Sequence, residues 1–336
     1  MLYPFAFFYW IIIFCKNVFY KYSLSSAQRL PCSVISVGNL TVGGTGKTIL
    51  VIYLAKLLQK KNKKVAILTR GYGRKKKGWV LVTDGKSILK NITADQCGDE
   101  PFLMAKTLED IPIMVDGNRY RGGLHLVKQF RPDVILLDDG FQHRSVFRNL
   151  DIVLVNAQDR KIDHKILPLG LLREPWKNIN RSDLIILTKY NLKSDNSYLL
   201  RKLKNTNKTF VKAELTSQIS SLWNQPDLEL KKLIKKPGFV FAGIGDTISL
   251  IKSITELGIK ISGTQFYKDH HLYNEMDFKY IYKQADRVNT EYLITTEKDW
   301  VKVQKFEIDF PVVVLSAQFK IKLEDQINDL ISQKIG

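Results

Sequence analysis

Short apolar runs alternate with longer helical segments along most of this chain. The runs predicted to be strands are residues 32–38, 64–69, 111–115, 133–137, 151–155 and 183–188. Several of them are apolar on both alternating faces, as expected for strands covered by helices on both sides of a parallel sheet. Residues 47–60 are predicted to form a helix. Strand and helix in alternation predict an α/β fold built on a doubly wound, mostly parallel sheet.

The pattern changes twice along the chain, which predicts three parts. Residues 191–236 are polar and lysine-rich, and a second α/β segment starts with FVFAGIG at 239–245. We therefore predict a hydrophobic membrane-associated segment at 1–28, a nucleotide-binding domain at 29–235 and a smaller C-terminal α/β domain at 236–336.

The N-terminal segment carries no charge from residue 2 to residue 15 (LYPFAFFYWIIIFC), and Lys16, Lys21 and Arg29 follow it. It is short for a bilayer span, which needs about 20 apolar residues. It also lacks the basic start and small-residue end of a signal peptide. An interfacial or partly inserted anchor fits, with aromatic rings at the headgroups and cations beyond them for acidic lipid. A buried core helix is the alternative.

The main chemical motif is VGNLTVGGTGKT at residues 37–48, between a predicted strand and a predicted helix. Its glycines let backbone N–H groups surround phosphate oxygens at the start of a helix. Lys47 is expected to reach the β- and γ-phosphates, and the Thr48 hydroxyl to bind Mg²⁺. The general P-loop pattern has glycine where this chain has Thr41. A glycine-rich turn without nucleotide is the alternative.

A second nucleotide-related element is the apolar run ILL at 135–137, followed by Asp138, Asp139 and Gly140. An acidic residue at the end of a strand supports magnesium in P-loop proteins, and ligands bind at the carboxyl ends of parallel strands. Acids commonly end strands for other reasons, so this element indicates a nucleotide site only in combination with the P-loop.

Charge and cysteine content narrow the class of protein. The 336 residues carry a formal charge of +19, which favours nucleic acid, acidic lipid or phosphorylated substrates as partners. No aromatic–basic repeat or recognition-helix pattern supports nucleic acid. The basic runs at 60–64, 74–77 and 231–236 are solvated faces or contacts to anionic lipid. The three cysteines form no C-x-x-C pair, so a reducing cytoplasm is expected.

A switch ATPase, a GTPase and a kinase can share these two nucleotide elements. The guanine-reading pattern N/T-K-x-D is nearly matched at residues 188–191, but Asn191 stands where the Asp would be. A switch or metallochaperone would not need the aromatic N-terminal segment, and a nucleic-acid-dependent ATPase lacks sequence support.

Several separated motifs resemble those of the tetraacyldisaccharide 4′-kinases, which phosphorylate the lipid A precursor in Gram-negative bacteria. They are SVGNLTVGGTGKT (36–48), TRGYGR (69–74), GDEP (98–101), LDDGFQHR (137–144), LPLGLLREP (167–175), KDHH (268–271) and TTEKD (295–299). The chain departs from the family at two places: Ile49 replaces its usual proline, and Tyr267-Lys268 replaces its usual Phe-Pro. Neither departure removes a reactive group.

The resemblance implies a P-loop kinase that uses ATP and Mg²⁺ to phosphorylate the 4′-hydroxyl of a tetraacyldisaccharide 1-phosphate. It implies work at an anionic membrane surface, on the cytoplasmic face of the inner membrane, as a peripheral or monotopic protein. The protein is expected to be a monomer and not to bind nucleic acid.

The resemblance also suggests roles for individual residues. Asp99 is the expected base, working with His270 from the other predicted domain, although an Asp before Glu-Pro is also a plausible helix N-cap. Arg173 is expected to neutralise the transferring phosphoryl group. The expected nucleotide-binding residues are Thr41, Gly43, Gly44, Thr45, Gly46, Lys47 and Thr48.

The expected metal ligands are Thr48, Asp138, Asp139 and Glu174, which follows Arg173 in the chain. Pairing of Arg173 with Glu174 on a surface loop is the alternative. For His143, packing is as plausible as catalysis, and contacts of Arg70 and Arg119 with substrate or phosphate are guesses.

Overall fold

The computed structural model describes residues 2–22, 27–193, 195–223, 230–322 and 324–335. Within them, 12 strands form one sheet in the order β10-β9-β11-β12-β8-β7-β6-β1-β5-β2-β4-β3. The strands are β1 (Ser33–Asn39), β2 (Val65–Thr69), β3 (Val80–Thr83), β4 (Ile113–Val115), β5 (Val134–Asp138), β6 (Leu150–Asn156), β7 (Leu184–Thr188), β8 (Phe210–Trp223), β9 (Gly238–Ala242), β10 (Ile261–Phe266), β11 (Leu293–Thr296) and β12 (Val312–Ile321). All neighbours are parallel except the pairs β3–β4 and β8–β12. The predicted α/β fold with a mostly parallel sheet is confirmed.

Helices flank this sheet along the chain. They are α1 (Tyr3–Lys21), α2 (Lys47–Lys60), α3 (Ala94–Cys97), α4 (Asp99–Thr107), α5 (Arg119–Phe130), α6 (Ser197–Lys204), α7 (Leu230–Leu233), α8 (Thr247–Glu256), α9 (Glu275–Arg287), α10 (Glu297–Val303) and α11 (Glu324–Ile335). Short 3-10 helices occupy Lys161–His164, Trp176–Arg181 and Tyr190–Leu192.

The core around the P-loop strand has two layers, one on each face of the sheet. Leu50 and Leu54 of α2 pack in the same cluster as Ile35 of β1. On the other face, Leu126 of α5 packs in a cluster with Val34 of the same strand. Each of these side chains is fully or almost fully buried, which contributes about 1.5–3 kcal/mol per residue. The alternating faces of β1 thus explain the doubly wound arrangement.

The long strand β8 joins the half of the sheet that contains the P-loop strand to the half that contains β9–β12. Residues 210–212 pair in parallel with β7, and Ala213–Trp223 continue to pair antiparallel with β12. Because β9, β10 and β11 run parallel to β12, their carboxyl ends point back towards the carboxyl ends of β1, β5 and β7. The edges that carry functional loops therefore face each other across a cleft.

This strand lies in the lysine-rich stretch that was predicted only as a polar interval. The predicted division at residue 235 stays a prediction: one sheet continues across it, and Ile327 and Ile331 of α11 pack into the core beneath the P-loop.

The N-terminal helix α1 is longer than the predicted apolar segment and lies on the surface. Residues Tyr3–Tyr20 are long and apolar enough to cross a membrane, and 6% of that stretch is buried. A buried core helix is therefore wrong. Tyr9 donates a hydrogen bond from its hydroxyl to the Arg173 carbonyl (2.8 Å), and Arg144 donates to Asn17 (3.3 Å). The side chains of Lys16 and Lys21, predicted to meet acidic lipid, lie outside the described part of the structure.

Gly38 of β1 lies very close to Phe141, and this contact allows a test of how the P-loop strand is packed. A Cβ added to Gly38 would lie 2.5 Å from the Cβ and 2.8 Å from the backbone nitrogen of Phe141. Because backbone cannot move aside easily, we expect Gly38→Ala to lower the free energy of unfolding by about 1–3 kcal/mol, measured by urea denaturation. Gly117→Ala is the control, since nothing lies within 4 Å of its added Cβ. Equal stability of the two variants would contradict the packing described.

Candidate active site

The P-loop connects β1 to α2 and has the backbone form that phosphate binding requires. Gly43 and Gly46 have φ values of +117° and +88°, in the region that favours glycine. Gly46 is the N-cap of α2, and a Cβ there would lie 2.4 Å from the Phe319 ring. The exposed turn at Gly43 and Gly44 leads directly into the N-terminus of α2. The loop therefore presents backbone N–H groups together with the positive end of a helix.

Two of the three threonines predicted to contact nucleotide, Thr41 and Thr45, support the loop through buried contacts. Thr41 forms a bridge with Leu172, and the Val42 N–H donates to the Leu171 carbonyl (2.8 Å). Thr45 accepts a hydrogen bond at its hydroxyl from Asn39 (3.1 Å). Both threonine side chains are buried, so their described contacts fix the shape of the loop.

The cations predicted to bind phosphate meet at one acid. Lys47 Nζ lies 3.6 Å from Asp139 Oδ1, and Arg173 Nη1 lies 3.0 Å from each oxygen of the same carboxylate. Burial alone would raise the pKa of Asp139, but the charges of Lys47 and Arg173 outweigh it and lower that pKa. Two cations at the mouth of a P-loop are suited to bind phosphate oxygens. Arg173 thus pairs with Asp139 and not with Glu174, which was the alternative to its predicted role.

The neighbouring acid, Asp138, has one unsatisfied oxygen. Its Oδ2 accepts from the Thr69 hydroxyl (2.9 Å), while its buried Oδ1 has no hydrogen-bond partner among the described residues. Burial, with the charges of Glu100 and Asp139, raises the pKa of Asp138 to about 7. A divalent cation would satisfy this oxygen and stabilise the carboxylate. Among the described residues, no group of three or more His, Cys, Asp or Glu could hold a metal alone. Mg²⁺ needs only one or two protein ligands when phosphates and water supply the others, so the residues fit it.

The predicted metal-binding role of Glu174 stays a prediction, and in the structure both of its carboxylate oxygens have protein partners. One of its oxygens accepts from Gln142 (2.9 Å), and the other accepts from Asn178 (2.8 Å) and Arg181 (2.7 Å). The buried carboxylate is thus already neutralised by a cation and satisfied by amides. Glu174 stabilises the loop that carries Arg173.

Asp99 and His270 are brought together from opposite sides of the cleft. His270 Nδ1 lies 3.0 and 2.9 Å from the two oxygens of Asp99. Asp99 is the first residue of α4, and Gly98 occupies the N-cap position, so the alternative reading of Asp99 as an N-cap is wrong. His270 has a φ of +62°, an uncommon value for a residue with a side chain. The backbone is therefore held in a sparsely populated conformation at the point where the imidazole contacts Asp99.

The charges around this pair favour an ionised acid. Burial alone would raise the pKa of Asp99, but the hydrogen bond from His270 and the charges of Lys298, His270 and Lys302 lower it overall. The hydrogen bond to Asp99 raises the pKa of His270, with burial and Lys298 opposing it. At neutral pH Asp99 is thus an ionised carboxylate that can accept a proton.

Three further residues were considered for the site from the sequence, and they differ in how deeply they are buried. Arg119 is fully buried and donates to the backbone carbonyls of Asp116 and Asp138, and burial lowers its pKa to about 10. It fixes the end of β5 and has no exposed surface for substrate, contrary to expectation. Arg70 is exposed at the end of β2. His143 is half-buried, and its carbonyl accepts a hydrogen bond from Arg148 (2.9 Å).

Two lysines of the site were not predicted. Lys189 follows β7, is buried, and donates to the Gly44 carbonyl of the P-loop (2.7 Å) and to Asp246. The sequence signal for Lys189 was the T-K pair after a strand, which was compared only with the guanine-reading pattern of GTPases. Lys298 lies beside Asp99 and His270, within the TTEKD motif, for which no role was predicted.

The amide that ends the T-K-x-N stretch is not available to read a base. Asn191 donates to the Leu215 carbonyl and accepts from the Leu215 N–H, both at 2.9 Å. Its side chain therefore holds the start of β8, which further weakens the GTPase alternative.

Comparisons with known proteins give a consistent result over the whole chain. The family model described as tetraacyldisaccharide-1-P 4′-kinase matches residues 1–336. A tetraacyldisaccharide 4′-kinase from Aquifex aeolicus is 36% identical over 321 residues, covering 96% of this chain and 93% of that protein. One from Syntrophus aciditrophicus is 35% identical, covering 97% and 90%. A crystal structure of the Aquifex aeolicus enzyme in complex with ATP is similar, with a TM-score of 0.78 and 34% identity over 100% of this chain and 98% of that one.

The Lys189 contact predicts a specific defect in nucleotide binding. Lys189→Met would leave the Gly44 carbonyl and the Asp246 carboxylate without their cation. We expect the Kd for ATP to rise by about tenfold or more, measured by calorimetry on the folded protein. The control is Lys252→Met on α8, which removes one exposed hydrogen bond to the Asn191 carbonyl. Unchanged ATP affinity in Lys189→Met would contradict the role of this lysine in shaping the P-loop.

Proposed function

The chain belongs to the tetraacyldisaccharide 4′-kinase family, and we propose that its Asp99 and His270 together deprotonate the hydroxyl that receives the phosphoryl group. The protein is an ATP-dependent kinase of lipid A biosynthesis that acts on the 4′-hydroxyl of a tetraacyldisaccharide 1-phosphate. The observation that carries the proposal is the contact of 2.9–3.0 Å between the Asp99 carboxylate and His270 Nδ1.

In the proposed mechanism, Asp99 is the proton acceptor and His270 orients it. His270 Nδ1 donates to the carboxylate and leaves the remaining lone pairs of Asp99 for the sugar hydroxyl. Asp99 is ionised because its cationic neighbours lower its pKa, so it can take the proton as the oxygen attacks the γ-phosphorus. The bond from that phosphorus to the β–γ bridging oxygen breaks, and ADP leaves.

The cations at Asp139 have the second role. When the triphosphate enters the P-loop, Lys47 and Arg173 exchange part of their contact with Asp139 for contact with phosphate oxygens. Lys47 lies on the first turn of α2, and Arg173 is held by the loop that braces Thr41. Preorganised charge of this kind is the main source of catalysis in phosphoryl transfer, because it needs no rearrangement at the moment of reaction.

Two residues of the site would hold the metal. Asp138 and the Thr48 hydroxyl would hold Mg²⁺ with Asp139 nearby, and the ion would neutralise charge on the β- and γ-phosphate oxygens when bound.

The position of α1 supports a membrane location for the reaction. Its exposed side chains include Phe5, Phe8 and Ile12, each at least 64% exposed. The same helix contacts the Arg173 backbone through Tyr9, so lipid bound at α1 would lie close to the phosphoryl-transfer site. We propose a peripheral or monotopic enzyme on the cytoplasmic face of the inner membrane, binding anionic lipid. We propose that it acts as a monomer, because one chain supplies both halves of the site.

Two substitutions test the acid–base pair. We expect Asp99→Asn to lower kcat by about 10²–10⁴-fold and His270→Ala by about 10²-fold, with ATP affinity nearly unchanged, because both act on the acceptor hydroxyl. The measurement is transfer of labelled γ-phosphate to a tetraacyldisaccharide 1-phosphate in detergent micelles. His125→Ala, which removes an imidazole stacked on Trp79, is the control.

Full activity of His270→Ala would remove the imidazole from the mechanism. ATP binding by the wild-type protein without transfer to this acceptor would overturn the proposed reaction.

The membrane location has its own test. Replacing Phe5, Phe8 and Ile12 together by Glu should lower partition onto vesicles containing anionic lipid by about tenfold or more per residue, measured by co-sedimentation. Ile248→Glu, on the exposed surface of α8, is the control and should bind like the wild type. Unchanged partition of the triple variant would contradict anchoring through α1.

A further inference from the structure

Lys298 lies where the two halves of the cleft meet, with three carboxylates around its ammonium group. Nζ is 2.8 Å from Asp269, 3.9 Å from Asp99 and 3.9 Å from Glu100. The same atom lies 3.5 Å from Nε2 of His270. The side chain is 19% exposed, so water screens these interactions only partly. A single cation thus contacts both members of the proposed acid–base pair.

Lys298 lies in the first turn of α10, and hydrogen bonds hold this turn in place. Thr296 caps the helix, and its hydroxyl accepts from the Asp299 N–H (3.1 Å). Asp299 in turn accepts from the Gly243 N–H (3.0 Å), which ties α10 to the end of β9. Lys298 therefore projects from a capped, braced turn at the carboxyl end of β11, and its location does not depend on a mobile surface loop.

The contact with Lys298 favours one arrangement of the His270 protons. An ammonium group has only donors, so Nε2 can face it only as an acceptor without a proton. The remaining proton of a neutral imidazole is then on Nδ1, where it points at Asp99. Asp269 Oδ2 lies 3.7 Å from Nε2 and favours a second proton there, while Lys298, which lies 2.8 Å from Asp269 Oδ1, opposes that proton.

We propose that Lys298 is a positioning residue, which keeps His270 singly protonated on Nδ1 so that Asp99 remains an open carboxylate for the acceptor hydroxyl. This inference rests on the proposed function of the Asp99–His270 pair. It assigns a role in the reaction to the lysine of the TTEKD segment.

Titratable and charged groups face the pair from every element packed against it. They are Cys97 of α3, Glu100 of α4, Tyr72 and Asp269 of the loops, and Lys298, Asp299 and Lys302 of α10. Lys298 opposes binding of a proton both at Asp99, whose pKa it lowers, and at His270, whose pKa it also lowers. Its removal therefore raises the proton affinity of the pair whichever group takes the proton.

The test is the pH dependence of kcat/KM for transfer to the glycolipid acceptor. In Lys298→Met, the acid limb should move to higher pH by about one unit or more, because a cation within 4 Å no longer opposes protonation. Lys298→Arg keeps the charge and should keep the acid limb within about 0.3 units, even if its rate falls. Lys305→Met, on the exposed surface beyond α10, should match the wild type.

Lys298→Gln is assayed in parallel, so that a folded neutral variant is available if the Met variant does not fold. An acid limb that stays in place in a folded neutral variant overturns the inference, as does an equal shift in Lys298→Arg. A purely structural defect would lower activity at all pH values without moving the limb. Should His270→Ala be fully active, the proposed function fails first; if that variant is impaired but the neutral Lys298 variants keep their limb, only this inference fails.

Discussion

The hydrogen bond between Asp99 and His270 is the contact on which the account of this enzyme depends. It joins the start of α4, in the P-loop half of the sheet, to the loop after β10 in the other half. The two residues can meet because β8 runs on past β7 and pairs antiparallel with β12, which turns the second set of carboxyl ends towards the first. Sheet topology thus creates the cleft, and the hydrogen bond marks where the cleft is closed.

Charge is arranged in two clusters on either side of this contact. Lys47 and Arg173 share Asp139 on the nucleotide side, while Lys298 shares Asp99, Glu100 and Asp269 on the acceptor side. Each cluster keeps its cations in place while no substrate is bound, and its groups need little rearrangement to receive an anion or a proton. Between them Asp138 has an unsatisfied buried oxygen, which is the chemistry a divalent cation supplies. In the proposed mechanism, the nucleotide, the metal and the acceptor would therefore lie side by side.

The sequence predicted the nucleotide half of this site well, because its signals are local. The helix predicted at 47–60 has those bounds, and the predicted strands 64–69, 133–137 and 183–188 each lie within a residue of an observed strand. Contacts between distant residues were not predictable from periodicity: Asp99 and His270 are 171 positions apart, and only motif resemblance paired them. No sequence pattern predicts that Arg181, seven residues after Glu174, donates a hydrogen bond to its carboxylate. The strand β8 was overlooked, although Val211, Ala213 and Leu215 alternate with polar residues, because the lysines around it made the whole stretch look polar.

A double-mutant cycle on kcat/KM tests whether Asp99 and His270 work as one unit across the cleft. Asp99→Asn, His270→Ala and the double variant are compared with the wild type at saturating ATP. If the pair acts as a unit, the double variant is about as slow as the slower single variant, because the second change removes a partner that no longer functions. If the two effects multiply, each residue acts independently, and the contact seen between them is not the basis of catalysis.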